Sequence, residues 1–363
     1  MAAYISFQPS DYFNAKLWTG NSTTDRAMTG VGFQPDFLWV KGRNEGTDHE
    51  LNDSVRGSTK YIRTNVNAVE GTEAESVKSF DADGYTLGNA NYWNWTAKTF
   101  VGWSWKGGTT SGIATNGSTT ITPSAYSFNQ TSGFSAIAYT GNGSSGAKLA
   151  HGLGAVPEMI IVKNLGTTNN WAVYHHKQHA TAPQDYALEI NGYGAAADDA
   201  AMWHDTAPDS VNITLGNSGA TNDTSNTYIA YCFTGKIGYS KFGSYVANNS
   251  DDGAFIYTGF NPSFVMVKST SGGTYKSWSM FGTTRQPTNL NVAKTLYANR
   301  AYEEGNRGQG TDSTTIPAMD ILSNGFKCRV GNDEINTASD TYVYMAFAEF
   351  PLVSSNSKAG TAR

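Results

Sequence analysis

The chain has 363 residues, enough for two or three domains and a sizeable core. Its 25 Lys and Arg against 30 Asp and Glu give a net charge of -5 with no basic cluster, which excludes a nucleic-acid binder. No run approaches the ~18 apolar residues of a membrane span, so none is expected.

Charged residues make up only 15% of the chain and aromatics 13%, with Gly, Ser, Thr and Asn abundant, a composition that favours β-structure. Met1 to Phe7 lacks the basic flank and apolar stretch of a secretory leader, so synthesis in a cytoplasm and retention there until something else releases the chain are expected. The first strand and turn follow at Leu17-Trp18-Thr19-Gly20-Asn21. Next comes a phrase opened by Gly32 and Pro35, with the apolar run Phe37-Leu38-Trp39-Val40 and a closing Lys41. A glycine-bounded strand, Gly84-Tyr85-Thr86-Leu87-Gly88, precedes a terminal phrase, Thr99-Phe100-Val101-Gly102-Trp103-Ser104-Trp105.

The same order then repeats. The second copy has Ala138 to Gly143, Gly154 to Lys163, Val211 to Gly216 and Thr227 to Phe233; the third has Gly243 to Asn248, Gly259 to Lys268, Gly325 to Gly331 and Thr341 to Phe347. Matched phrases in one order, three times, mean a triplicated folding unit, and residues common to all copies read as scaffold. The proline of each phrase marks a strand entrance, where its missing N–H costs no ladder bond. Runs apolar on both faces, such as Met159-Ile160-Ile161-Val162, read as strands covered on both sides. The phrase lysine is expected to end that strand at solvent.

Helix is confined to a turn or two, in 194–203 and 292–297. The fold expected is all-β: three tandem β-sandwich pseudo-repeats, jelly-roll or concanavalin-like, packed together. The organisation reads as 1–108, a Gly/Ser/Thr-rich linker or extra strand at 109–132, then 133–238, 239–352 and a flexible tail at 353–363. Cys232 and Cys328 sit at different points of the repeat and read as two buried thiols, without a disulfide framework.

Several segments resemble a family of bacteriophage virion structural proteins, found in phages of marine bacteria including cyanophages and built from tandem β-rich repeats. They are Phe7-Gln8-Pro9-Ser10-Asp11-Tyr12-Phe13-Asn14, Gly32 to Lys41, Asp53-Ser54-Val55-Arg56-Gly57, Ser79 to Gly88, Tyr139 to Gly143, His151 to Asn164 and Tyr342 to Glu349. The resemblance covers nearly the whole chain and implies a virion part, present in many copies or as an oligomer, with other virion proteins as partners. It brings no catalytic residues with it.

Local motifs have plain readings. His175 and His176 point to opposite faces of a strand, so with His179 they make a poor metal centre. His151-Gly152-Leu153-Gly154 is followed by a strand, where a phosphate loop needs a helix. Asp81 with Asp83, Asp198 with Asp199, Asp251 with Asp252 and Glu303 with Glu304 read as loop carboxylates, not a glycosidase pair. No metal, cofactor or catalytic residue is therefore assigned. Tyr92, Trp93, Trp95, Trp203 and His204 are candidate glycan contacts, because exposed aromatics beside Asn and Asp stack on sugar rings; the alternative is that they cap or pack the sandwiches.

The function expected is a virion structural protein on the particle exterior, in a tail-fibre or adhesin apparatus or as capsid decoration. A carbohydrate-binding module, or a glycan depolymerase, is the alternative. Whatever the chain touches should lie where the copies disagree, at 43–60, 92–95, 174–203 and 300–317.

Overall fold

The computed structural model describes residues 7–289, 294–306, 319–332 and 334–351. The proposed tail at 353–363 and most of the 300–317 loop lie outside the described residues.

Each copy builds one large antiparallel sheet and one small one. The large sheets share a strand order: opening, terminal, phrase, flanking, fourth. In the first unit these strands are Phe13–Thr19, Thr99–Trp105, Phe37–Gly42, His49–Asp53 and Lys60–Arg63. In the second they are Phe134–Thr140, Thr227–Phe233, Met159–Asn164, Ala172–His175 and Tyr186–Glu189, and in the third Ser240–Val246, Thr341–Pro351, Phe260–Ser269, Ser279–Phe281 and Leu296–Tyr297. A small sheet lies over the outer face of each: Arg26–Thr29, Gly84–Leu87 and Val77–Asp81; Ala147–Ala150 and Asn212–Leu215; Phe255–Tyr257, Gly325–Cys328 and Met319–Leu322.

The phrase strands are central because both their faces are apolar, and the structure shows where each face goes. Phe37 and Trp39, Met159 and Ile161, and Phe264 and Met266 all point into one core shared by the three units. The alternate residues pack under each unit's own small sheet: Leu38 and Val40, Ile160 and Val162, Val265 and Val267. Period-two alternation on a strand thus divides each run between a common inner core and a private outer one. At one end the inner core is aromatic: Phe37 stacks on Tyr231 of the second unit at 4.4 Å, and Phe13 on Phe347 of the third at 5.1 Å.

Four details differ from the sequence reading. Ala125–Asn129 pairs with the opening strand of the second unit, so part of the 109–132 segment belongs to that unit's sheet. Pro262 lies inside its strand, not at the entrance, and the register shifts on both sides of it; a bulge absorbs the missing N–H. Of the two helical segments, only Ala200–Trp203 forms a turn, capped by Asp199. In the other, 294 and 295 are not helical and Leu296–Tyr297 is strand, while 292 and 293 lie outside the described residues. Among the described residues a further α-helical turn is Asn91–Asn94, and 3-10 turns lie at Pro9–Asp11 and Pro183–Asp185.

Among the described residues no helix is long and apolar enough to cross a membrane. Cys232 and Cys328 are buried free thiols, and burial pushes both up to about 12.

Candidate functional site

The phrase lysines are not at solvent: Lys41, Lys163 and Lys268 are fully buried. Each ammonium is satisfied by backbone carbonyls, one of them from a neighbouring unit. Lys41 Nζ donates to Thr47 at 2.8 Å and to Ala301 of the third unit at 3.3 Å. Lys163 donates to Asn169 at 2.7 Å and to Asn67 of the first unit at 3.1 Å. Lys268 donates to Ser269 at 2.7 Å and to Gly194 of the second unit at 2.9 Å.

The loops that receive these lysines are themselves equivalent. The side-chain oxygens of Asn65, Asn191 and Asn299 accept from the backbone N–H of His49, Trp171 and Trp278 at 2.9, 3.0 and 3.1 Å. In the last two pairs and in His49, the ring lies against the neighbouring unit: Trp171 Nε1 donates to Arg63 and Trp278 Nε1 to Glu189, at 3.0 and 2.8 Å. His49 accepts from Trp39 Nε1 through Nδ1 at 2.9 Å, and burial holds it neutral, well below its usual value. Further along each loop, the backbone N–H of Glu70, Ala196 and Glu304 donates to Leu165, Thr270 and Arg43 at 3.1, 2.8 and 2.7 Å. The first unit's loop therefore clasps the second, the second clasps the third and the third clasps the first. It is a head-to-tail interface that closes after three steps, as in a cyclic trimer, within one chain.

Ion pairs reinforce two of the junctions. Between the first and second units, Arg56 bonds Asp53 at 2.5 Å, and Tyr231 donates to the same carboxylate at 2.6 Å. Between the first and third, Glu304 bridges Arg43 and Arg285 at 2.8 and 2.6 Å.

A second recurrent group fastens each sandwich. Asn94, Asn222 and Asn336 are fully buried. Their side-chain oxygens accept from the backbone of Asn21, Asn142 and Asn248 at 3.0, 2.9 and 3.0 Å. Their amides donate to Gly88, Gly216 and Val330, each at 3.0 Å. Beside them Trp18, Tyr139 and Tyr245 donate to the carbonyls of Trp93, Thr221 and Ile335 at 3.0, 2.5 and 2.7 Å. All of this is scaffold.

The predicted glycan contacts divide. Trp93 is 1% exposed and donates to Asn52 Oδ1 at 2.9 Å; Trp203 is 2% exposed within the second unit's outer core. Both are core, because each fills the space between its two sheets, so neither can stack on a sugar. Their positions are also not equivalent: the Asn91–Asn94 turn follows the small sheet's Gly84–Leu87, whereas Ala200–Trp203 precedes Asn212–Leu215. Tyr92 and Trp95 are half-exposed but already engaged, Tyr92 with Arg63 at 4.8 Å and Trp95 with Lys98 at 5.2 Å. His204 is exposed, in the left-handed region at φ 53°, and its Nδ1 lies 3.0 Å from Ser145 Oγ. These five side chains do not form one site.

Other singled-out groups are also engaged. His175 and His176 donate to Tyr344 and Phe242 of the third unit, both at 3.1 Å, and burial pulls His175 down to about 3. Asp83 accepts from the backbone of Gly30 and Gly32 at 2.8 and 2.7 Å and fixes that turn. Among the described residues no three His, Cys, Asp or Glu side chains group as a metal site.

A cleft of about 250 Å³ lies beside the third unit's clasp loop. Thr274, Tyr275, Ser277, Tyr297, Arg300, Tyr302 and Glu334 line it. Glu334 is 2% exposed and accepts from Tyr297 Oη at 2.8 Å, whereas Tyr275 is 44% exposed. The Arg300 guanidinium lies 5.0 Å from the ring of Tyr193 and 5.9 Å from that of Tyr302. Counting from the clasp asparagines, Arg300 takes the place of Val66 and Gly192, and Tyr302 that of Ala68 and Gly194. Counting back from the rings at 49, 171 and 278, Tyr275 replaces Gly46 and Thr168. Three of the cleft's side chains, Tyr275, Arg300 and Tyr302, are thus ones that the other two copies lack.

Residues 8–351 match the model of a family described as a domain of unknown function, DUF7483. The chain belongs to that family. No curated protein and no solved structure matches it. The DUF7483 match runs through all three units and both kinds of junction, so the domain it defines is the closed ring and not the single sandwich.

Proposed function

We propose that this chain is a structural block on the exterior of a bacteriophage particle, in the host-attachment apparatus or as decoration of the capsid. The observation that carries the reading is the closed ring: three sandwiches locked by equivalent clasps around one core. Such a body presents three similar flanks and a few differing loops, which suits fixed placement against neighbouring subunits. The low charge, the abundance of hydroxyl and amide side chains and the resemblance to virion structural proteins support it. The buried polar groups that recur are spent on holding units together or on fastening each sandwich, and the junction carboxylates Asp53 and Glu304 are tied to arginines.

The test is to purify particles of the source phage, wash them in high salt and search them for this polypeptide by mass spectrometry, then to locate it in a cryo-EM map. Its presence at fixed stoichiometry on the outer surface is the expected result. Absence from washed particles would sink the proposal. Density at the tail tip or on the capsid lattice would separate the two placements.

A further inference from the structure

We propose that the first unit's opening strand, Phe13–Thr19, pairs with the same strand of a second copy of this chain, joining two rings along a sheet edge. Each opening strand bonds its terminal strand with one side of its backbone and turns the other side outward. In the second unit the outward positions, Phe134, Ala136 and Ala138, are paired with Ala125–Asn129. In the third the equivalent positions are Ser240, Phe242 and Ser244. Ser240 exchanges backbone bonds with Lys236 at 3.1 and 2.9 Å, and the Phe242 carbonyl accepts from His176 of the second unit at 3.1 Å. In the first the equivalents are Phe13, Ala15 and Leu17. The bonds from Lys106 to Tyr12 and from Gly20 to Lys98 set the even-numbered residues against Thr99–Trp105, so these three face away from it. Among the described residues nothing bonds their backbone N–H or C=O groups. The Thr19 carbonyl, next along, accepts from Arg26 at 2.7 Å and ends the open stretch.

An open edge is a template for another strand, and folded proteins guard it with a proline, a bulge or a lysine directed along it. Phe13–Thr19 has no proline and no register shift, and its lysine, Lys16, is drawn away to donate to the Thr29 carbonyl. The pattern of the edge selects the occupant. Its open groups are spaced evenly about Ala15, so a second copy turned about a twofold axis there meets each with its complement. Phe13 then faces Leu17 of the other copy and Ala15 faces Ala15, in pairs that exchange hydrogen bonds. Leu17 is 37% exposed in the single chain and gains an apolar cross-strand neighbour. On the other face Lys16 falls opposite Asn14, so no like charges meet across the axis. One strand pair buries less than the ~1,200 Å² of stable interfaces, so association in the micromolar range is expected.

The pairing is a property of the isolated full chain and is tested on it, whether or not the protein is found in virions. Analytical ultracentrifugation from ~1 to ~200 μM should show a reversible monomer–dimer equilibrium. Leu17→Lys, at a half-exposed position, should weaken it roughly tenfold or more. Ala15→Pro removes an N–H that the ring does not use, so it should abolish the dimer while leaving the melting temperature within ~4 °C. Ala15→Cys should give a covalent dimer on mild oxidation, because the α-carbons of a hydrogen-bonded pair stand ~5.5 Å apart, within disulfide reach. Cys232 and Cys328 are buried and leave that readout clean. Val246→Lys, on the third unit's opening strand and 63% exposed in the parent, should leave the equilibrium unchanged. A monomer at every concentration would overturn the proposal. So would a dimer that Leu17→Lys leaves intact and Ala15→Cys fails to cross-link, or one that Val246→Lys dissolves.

Discussion

The amide of Asn222 shows how much one residue holds. Its oxygen accepts from Asn142 N–H, and its nitrogen donates to Ser144 and Gly216 carbonyls at 2.9 and 3.0 Å, all inside the second unit. It ties the opening turn to the end of the small sheet, beside the backbone bonds from Gly143 to Asn222 and from Gly146 to Leu215. Replacing it by Ala would leave a buried N–H and buried carbonyls without partners, at about 1–3 kcal/mol each. Asn222→Ala should therefore lose ~2–4 kcal/mol of unfolding free energy in a urea titration. A loss under ~1 kcal/mol would mean that water or a shifted turn satisfies those groups. The neighbouring glycine answers the same close approach: a Cβ on Gly141 would lie 2.2 Å from Asp223 O, and one on Gly20 would lie 2.0 Å from Trp95 O. The third copy has Ala247 at that position.

At the scale of strands, the phrase lysine carries a pH dependence. Burial lowers Lys41 to about 7, Lys163 to about 8 and Lys268 to about 7, against ~10.4 in an unfolded chain. A base whose folded value is depressed costs stability where both states are charged, below about pH 7 for Lys268. Above that, the folded lysine gives up its proton while the unfolded one keeps it, so stability rises with pH until ~10.4. Other groups oppose this trend: Glu50, raised by burial to about 8, weakens the fold as pH climbs to that value, and the two raised thiols do so above their unfolded ~8.5. The comparison of Lys268→Met with the parent removes those shared terms. Between pH 7 and 9 the parent should gain on the variant by ~1 kcal/mol per pH unit, read from urea titrations at each pH. A difference that does not change with pH would show that Lys268 stays charged throughout.

The strands themselves were legible in the sequence, because alternation and β-branched runs report burial on each face directly. The destination of the lysine was not. A lysine after an apolar run looks the same whether it meets water or a carbonyl of a segment distant in the chain, such as Ala301 opposite Lys41. The sandwich asparagines were within reach: each stands at the same distance before the terminal phrase, Asn94 before Thr99, Asn222 before Thr227 and Asn336 before Thr341. The cleft was half legible. Disagreement between copies pointed to the segments holding Tyr193, Arg300 and Tyr302, but Tyr275 and Glu334 join them only through the packing of the third unit. Trp93 and Trp203 misled for the opposite reason, since polar neighbours in sequence said nothing of the sheets that enclose them.

At the scale of the molecule, the decisive fact is that no unit owns its inner core. Phe13, Phe37, Trp39, Leu51, Ile62, Val101, Trp103 and Trp105 of the first unit form one wall of a core whose other walls come from the second and third. Taken alone, that wall would be an exposed apolar face of several large side chains, each worth roughly 1.5–3 kcal/mol when buried. The clasps work in the same direction, because every unit supplies a loop to one neighbour and receives a loop from the other, so removing one unit breaks two junctions. Independent sandwiches joined by linkers would unfold in steps; a ring that shares its core should unfold once. Calorimetry of the full chain should give a single transition whose calorimetric and van't Hoff enthalpies agree. The fragment 1–108 should be insoluble or self-associating when expressed alone, its wall seeking the two it lacks. Three resolved transitions, or a soluble monomeric fragment with sharp tertiary signals, would mean that each outer core suffices and the shared core is only an interface.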